Sequence, residues 1–337
     1  MKRVLLAQLA TLLALSYLSG ASACLSTERL DRQYPDAADT GPQVRDPTDA
    51  RRPGRDAEVG LDAEPPVPDG AVRVASLNTH LFFDTVCQSG ACSWGDFEQV
   101  PTQASFDFKA DQIAQGIRRI QPTAMLLQEL ETQACLDALS QRLSDLLPVA
   151  VLGEQDYPGS IDVAVLARGE LLEVRRHANV ALTEPDGTIT WFAREFLEVH
   201  LSLDGQRVIV FAAHFRSQNN DDPARRLAEA TAAAQIVAAT AAEFPEALVV
   251  MGGDLNDVPG SAPLNALTES GELLRVAQDL PPLEQITYPG FGGHAFDHLF
   301  LDTKARGTCL PGSVKVLCDG AGYAGSDHCA IRADFGF

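Results

Sequence analysis

The sequence predicts an α/β sandwich with mixed β-sheets. Short apolar runs alternate with amphipathic helical patterns, the signature of strands joined by crossover helices. A hairpin signal at Asp204-Gly205 adds antiparallel neighbours to the parallel pairs that crossovers create. Polar residues sit just past the apolar runs, where strand ends gather along one sheet edge.

Val72 to Leu77 reads as the first strand. Phe106, Ala110, Ile113, Ile117 and Ile120 recur at helical spacing until Pro122 stops the helix, and Ala124 to Leu127 is again a strand. A second helix is expected over Thr132 to Leu147 and a strand over Ile161 to Ala167. Thr188 to Leu203 and Arg207 to Ala213 form the expected hairpin. Pro223 opens a long Ala-rich helix to about Glu243, followed by strands at Ala247 to Met251, Ala295 to Leu301 and Cys329 to Phe335.

At 337 residues with 45% apolar side chains, the chain can bury a substantial core. Its formal charge is −20, and residues 1–69 hold only 8 of the 26 basic and 11 of the 46 acidic residues, so the remainder carries −17. Such a surface repels nucleic acid and anionic membranes, and a polyanionic substrate needs a local basic patch or bound cations.

Lys2 and Arg3, the apolar run Val4 to Leu18 and the small residues before Cys24 read as an export signal over residues 1–24. Ala21 and Ala23 suit ordinary cleavage, while small residues directly before Cys24 equally suit a lipoprotein site acylated there. Residues 25–70, with DAADTGPQVRDPTDARRPGRD and EPPVPDG, are too polar to offset their chain entropy and read as a disordered tether. One domain is expected over residues 71–337, exported to the envelope or exterior, monomeric, without a protein partner and with a membrane tether through Cys24 if that residue is lipidated. Export permits disulfides, and proximity suggests Cys87 with Cys92 and Cys309 with Cys318. Cys135 and Cys329 are left unassigned.

Asn78, Glu129, His214, Asp254, Asn256, Asp297, Asp327 and His328 all fall at the ends or mouths of the expected strands. One Asn or Asp after a strand is ordinary turn chemistry. Carboxylates, amides and two histidines at successive strand ends form a candidate site.

The ordered segments SLNTH, LLQELET, AAHFRSQ, GGDLND, FDHLF and GSDHCAI resemble the motif series of the endonuclease/exonuclease/phosphatase superfamily, the deoxyribonuclease I-like proteins, over roughly residues 71–337. The resemblance implies a four-layer α/β/β/α sandwich of two mixed β-sheets flanked by helices. It also implies a phosphodiester hydrolase using Mg²⁺ or Mn²⁺, with Ca²⁺ a further candidate, and a phosphodiester substrate, nucleic acid first. In that setting Glu129 is the principal metal ligand with Asn78 and Asp327 nearby, since Mg²⁺ needs few carboxylates. Asp254 would activate water, Asn256 donate to a phosphate oxygen, and His328 act in proton transfer with Asp297 orienting its ring. His214 would contact the phosphate or leaving oxygen, with Asp162 as its orienting carboxylate, and Arg194 would grip the phosphate.

Substrate choice stays open between nuclease, sphingomyelinase-like enzyme and small-molecule phosphodiesterase or phosphatase, with a non-catalytic surface binding protein of the same fold as a further reading. Arg216, Arg225 and Arg226 read either as a basic ridge beside the site or as a solvated helix start.

Overall fold

The computed structural model describes residues 63–155 and 157–337; the export signal, Cys24 and most of the expected tether lie outside the described residues. In chain order the elements are β1 (Ala71–Phe82), α1 (Gln103–Ile120), β2 (Ala124–Leu130), α2 (Gln133–Leu143), β3 (Val149–Gly153), β4 (Asp162–Ala167) and β5 (Glu170–Arg176). Then come β6 (Leu182–Thr183), β7 (Ile189–Thr190), β8 (Leu197–Leu203), β9 (Gln206–His214), α3 (Pro223–Glu243), β10 (Leu248–Asp254) and α4 (Ala262–Thr268). The last are β11 (Leu273–Arg275), β12 (Asp297–Asp302), β13 (Thr308–Cys309), β14 (Lys315–Leu317) and β15 (Ala330–Gly336).

Two mixed sheets result, ordered β13-β15-β1-β2-β4-β3, with β14 also on β15, and β11-β12-β10-β9-β8-β5. Their strands alternate apolar residues on both faces, which makes four layers. Val74, Leu126, Val165, Val199, Val210 and Val250 meet between the sheets. Ala75, Leu77, Met125 and Leu127 face outward onto Phe106, Ile113 and Ile117 of α1 and Leu136 and Leu139 of α2. Ile209, Phe211, Val249 and Met251 face the opposite way, onto Ala233 and Val237 of α3 and Leu264 and Leu267 of α4.

The expected Thr188–Leu203 strand is interrupted. Ile189–Thr190 pairs with β6, and residues 191–196 leave the ladder before β8 begins. There the backbone is held by side chains instead: Ala193 N–H donates to Glu229 and the Trp191 carbonyl accepts from Arg225 Nε. Phe192 and Phe196 stack on each other in the α3 layer.

One disulfide differs as well. Cys87 bonds Cys92 as expected, but Cys318 bonds Cys329. The ladder explains it: Leu317 of β14 pairs with Ala330 of β15, so the residues just beyond face each other. Cys309 lies on β13 opposite Phe335 and is a free thiol.

Strand polarity brings the site together. β1 runs parallel to β2 in one sheet and β9 parallel to β10 in the other, while β4, β12 and β15 run antiparallel to their neighbours. The ends of β1, β2, β9 and β10 and the starts of β4, β12 and β15 therefore share one edge.

Candidate active site

Irregular pairing aims the first carboxylate. The register between β1 and β2 shifts between Asn78 and Phe82, and that between β2 and β4 shifts between Gln128 and Leu130. Bulges of this kind redirect a side chain at a sheet rim. Glu129 sits in the second one with φ 66°, and His80 and Leu81, at φ 53° and 50°, turn the opposing chain toward it. The Leu81 N–H donates to Glu129 Oε2 at 2.7 Å. Left-handed non-glycine residues cost roughly 1–3 kcal/mol each where such strain is held, and three of them converge on one carboxylate.

Asn78 links the two sheets. Its Nδ2 donates to Glu129 Oε1 and to Asp254 Oδ2, both at 3.0 Å, while its Oδ1 accepts from the His80 N–H at 2.8 Å. A flipped amide would face two carboxylates with an oxygen and a backbone donor with an NH₂, so this orientation is fixed by its partners. Asp254 follows Gly253, where φ is 146° and a Cβ would lie 1.9 Å from the Ala213 carbonyl oxygen. Only glycine lets β10 approach β9 this closely, and that approach sets Asp254 beside His214, its partner in register.

His214 Nε2 lies 3.8 Å from Asp254 Oδ2 and 4.0 Å from Glu129 Oε1. Opposite, His328 Nδ1 lies 2.8 Å from Asp297 Oδ2, and its Nε2 is 3.9 Å from Asp254 Oδ2. Tyr288 packs on the His328 ring with centroids 5.0 Å apart, and Thr287 Oγ1 accepts from the Asp297 N–H.

These groups titrate apart. For His328, burial alone disfavours the cation, but Asp297, then Asp254 and Asp327, outweigh it and hold the imidazole up at about 10. Burial, with Arg194 and His328 as positive neighbours, holds His214 well below the ordinary histidine value. Burial first and Asp297 second push Asp254 up to about 7, against the pull of His328. One imidazolium, one neutral imidazole and one carboxyl group poised near neutrality is an acid–base set.

Glu129, His214 and Asp254 bring ligand-capable atoms within 4.8 Å of one another, as do Asp254, Asp297 and His328. Oxygen-rich donors with an imidazole at the rim suit a hard divalent cation. The buried atoms His214 Nδ1 and Asp297 Oδ1 have no hydrogen-bond partner, so the site has unmet polar capacity.

Other expected residues fall differently. Asn78 turns its NH₂ group onto the carboxylates and its Oδ1 onto the His80 N–H, and so orients Glu129 and Asp254. Asp327 is in neither three-residue group and pairs with His80 Nδ1 at 3.0 Å. Asn256, at φ 51°, donates its backbone N–H to Asp254 Oδ1 and its Nδ2 to the Phe215 carbonyl, so one of its two amide protons is already used. Asp162 is fully buried and accepts from Ser160 Oγ at 3.0 Å, but no hydrogen bond joins it to His214. Burial pushes its carboxyl up to about 7. Arg194 is only 6% exposed and leaves Nε and Nη1 without partners.

The basic ridge is absent. Arg216, Arg225 and Arg226 are all buried, Arg226 bridging Asp221 and Asp257 and Arg225 lying 3.9 Å from Glu229.

Lys109 was not anticipated. Its Nζ donates to the carbonyls of His80 and Leu81, pinning the left-handed pair from α1. Burial lowers it to about 8, partly countered by Glu129 and Asp327. The signal was a lysine beside Ala110, between Phe106 and Ile113 on the apolar stripe of α1.

A family model described as Endonuclease/Exonuclease/phosphatase family matches residues 74–280. The chain belongs to that family, and is a phosphodiesterase-type hydrolase by its membership. No curated protein matches the sequence significantly. Among solved structures, a humanized D. rerio TDP2 is 18% identical, covering 80% of this chain and 100% of its own, with a TM-score of 0.56. An endonuclease/exonuclease/phosphatase from Beutenbergia cavernae is 18% identical over 79% of this chain and 72% of its own, at a TM-score of 0.55. Sphingomyelinase C from Streptomyces griseocarneus is 19% identical over 78% and 99%, at 0.53. At these identities the family member shares the fold of all three.

Proposed function

We propose that this chain is a divalent-metal-dependent phosphodiester hydrolase, nuclease-like in its chemistry. The observation that carries this reading is the Glu129–Asn78–Asp254 bridge, with His214 within 4.0 Å of both carboxylates and His328 3.9 Å from Asp254. Glu129 would hold the cation, Mg²⁺ or Mn²⁺ first, with Asp327 at the rim. The bound ion would neutralise the non-bridging phosphate oxygens.

The remaining work falls to the chain's own groups. The unpartnered nitrogens of Arg194 bind the phosphate. Asp254 accepts the proton of the attacking water, and His328, held cationic by Asp297, donates Nε2–H toward the leaving oxygen. Neutral His214 supplies a hydrogen bond at the phosphate. Asn256 fixes Asp254 and offers its second amide proton to an oxygen.

Nucleic acid is the first substrate class, in keeping with a D. rerio TDP2 solved with a single-strand DNA product. The buried, neutralised arginines and the acidic surface favour a second reading, a small diester or a phospholipid headgroup, which needs few backbone contacts. We further propose that the domain over residues 71–337 is exported, monomeric and tethered through Cys24; a Cys24→Ala variant recovered in the membrane fraction would refute the tether. Among the described residues no helix is long and apolar enough to cross a membrane.

The test is hydrolysis of plasmid DNA, RNA, sphingomyelin and bis-p-nitrophenyl phosphate with Mg²⁺ or Mn²⁺, each with a chelator control. Metal-dependent cleavage of DNA or RNA supports the nuclease reading. Cleavage of the chromogenic diester alone moves the assignment to small diesters. No cleavage of any substrate, with cation binding intact, leaves the non-catalytic binder.

A further inference from the structure

The left-handed pair His80–Leu81 presents its two polar sides to different partners. Each N–H meets an acceptor of the candidate site: His80 N–H donates to Asn78 Oδ1 at 2.8 Å, and Leu81 N–H donates to Glu129 Oε2 at 2.7 Å. The His80 ring adds a third link, Nδ1 lying 3.0 Å from Asp327 Oδ1. Both carbonyls face one ammonium group instead. Lys109 Nζ donates to the His80 carbonyl and, at 3.4 Å, to the Leu81 carbonyl. The turn is therefore polarised, with its donors on the carboxylate side and its acceptors on the α1 side.

Two successive non-glycine residues at φ 53° and 50° persist only where their surroundings hold them. On the strand side the hold comes from the site's own acceptors and from Thr79 Oγ1, which donates to the Gln128 and Glu129 carbonyls at 2.8 and 3.2 Å. The Leu81 carbonyl also accepts from the Phe83 N–H. From the helix layer the hold is Lys109. It stands three residues after Phe106 and four before Ile113, both buried against the sheet, so the rigid face of α1 aims its stem.

The sign of its charge makes this placement informative. Lys109 lies near enough to Glu129 and Asp327 for both carboxylates to favour its cationic form. A positive charge so placed opposes a second cation at Glu129. Acting through charge alone, the lysine would weaken the site it borders.

We propose that Lys109 is a positioning residue of the cation site: by fastening the His80–Leu81 turn to α1, it keeps the Leu81 N–H on Glu129 Oε2 and sets the carboxylate for the ion in advance. The proposal rests on Glu129 as the cation's ligand. Residues that orient a metal ligand typically contribute about 10–100-fold to affinity, enough to outweigh a screened repulsion.

The experiment uses the full chain, stripped with chelator, as the parent and as Lys109→Met, Lys109→Arg and Glu129→Gln. Its two readouts are calorimetric titration with MnCl₂ and, without metal, hydrogen exchange at the Leu81 amide. Lys109→Met keeps an apolar stem and removes the donors. It should weaken Mn²⁺ binding about 10–100-fold and speed Leu81 exchange about tenfold or more, with the far-ultraviolet dichroism retained. Lys109→Arg, which keeps charge and donors, should recover most of both. Unchanged or tighter Mn²⁺ binding in Lys109→Met, the result of deleting a merely repelling charge, would overturn the proposal. Equal losses in both Lys109 variants would overturn it too, since the fit of the stem would then matter and not its donors. Glu129→Gln separates this failure from that of the reading beneath it. If that variant binds Mn²⁺ like the parent, Glu129 is not the ligand and both fall; if it loses binding while Lys109→Met keeps it, only the role of Lys109 falls.

Discussion

Two histidine–carboxylate clusters differ in one respect: one lies within a single sheet and its flanking helix, the other at the strand ends where both sheets meet. In the interior, Glu198 Oε1 accepts from His200 at 2.6 Å and Thr240 at 3.2 Å, and its Oε2 meets His177 at 2.8 Å. Arg207 reaches His200 Nδ1, and Arg175 ties the group to Glu173 and Glu243. None of these atoms lacks a partner. At the strand ends, by contrast, His214 Nδ1, Asp297 Oδ1, Asp162 Oδ1 and Arg194 Nε and Nη1 have none. Titratable residues alone do not distinguish structure from function. Between these two clusters, unmet hydrogen-bonding capacity marks the difference, since the interior one closes on itself.

The largest effect should come from opening the catalytic cluster further. Asp254→Asn removes the carboxyl group that, among the described residues, lies within 4 Å of both histidines, and should reduce turnover of bis-p-nitrophenyl phosphate by roughly 10³-fold, as for a general base. The unfolding midpoint should hold or rise, since a buried, repelled carboxylate is removed. Unchanged turnover would show that another group takes the proton. Asp297→Asn is the subtler cut. It leaves the ring hydrogen bond but removes the charge that keeps His328 protonated up to about 10. The pH–rate profile should lose its alkaline limb at lower pH, with kcat falling more than KM rises; a profile that merely scales down would assign Asp297 a packing role.

The interior cluster should respond in the opposite currency. Glu198→Gln should leave turnover per folded molecule intact while costing about 3–5 kcal/mol, because the ring donors of His177 and His200 lose a buried carboxylate acceptor and Arg175 its buried counter-charge. Burial would raise Glu198, but hydrogen bonds from His177 and His200 more than offset it and hold the carboxyl down at about 2. Its stabilisation is therefore present above the ordinary glutamate range and is lost as pH falls from there toward 2. Urea midpoints between pH 2 and 7 should show that slope in the parent and not in the variant.

The sequence made the candidate site readable because strand ends leave polar residues in short, ordered motifs. Asn78, Glu129, His214, Asp254, Asp297 and His328 do converge, and the two-sheet sandwich follows from short, continuous apolar runs such as Val208 to Ala213 that alternate with helical patterns. What stayed hidden depends on pairing rather than pattern. The bulge that turns Glu129, the Lys109 contact that holds His80 and Leu81, and the burial of Arg216, Arg225 and Arg226 against Glu229, Asp221 and Asp257 all need partners distant in the chain. Spacing suggested Cys309 for Cys318, because nothing local reveals which strand lies beside β14.

That disulfide offers the finest test of the comparison, since it ties neither cluster directly. Cys329 follows His328 and bonds Cys318 across eleven residues. Loop-closure arithmetic for so short a span gives roughly 2–3 kcal/mol of stabilisation, and rather less for Cys87–Cys92. If the catalytic cluster depends on preorganisation, the consequence should be unequal in another way. A Cys318→Ser, Cys329→Ser pair frees the chain segment carrying His328, so kcat should fall severalfold even well below the melting point, while Cys87→Ser, Cys92→Ser should change kcat little. The Cys329 N–H also donates to the Thr287 carbonyl, in the segment whose hydroxyl holds Asp297, so loosening at Cys329 reaches both members of the His328–Asp297 pair. Equal kcat in the two double variants would show that Tyr288 packing and the Asp297 hydrogen bond suffice to hold the ring, with the disulfide serving stability alone.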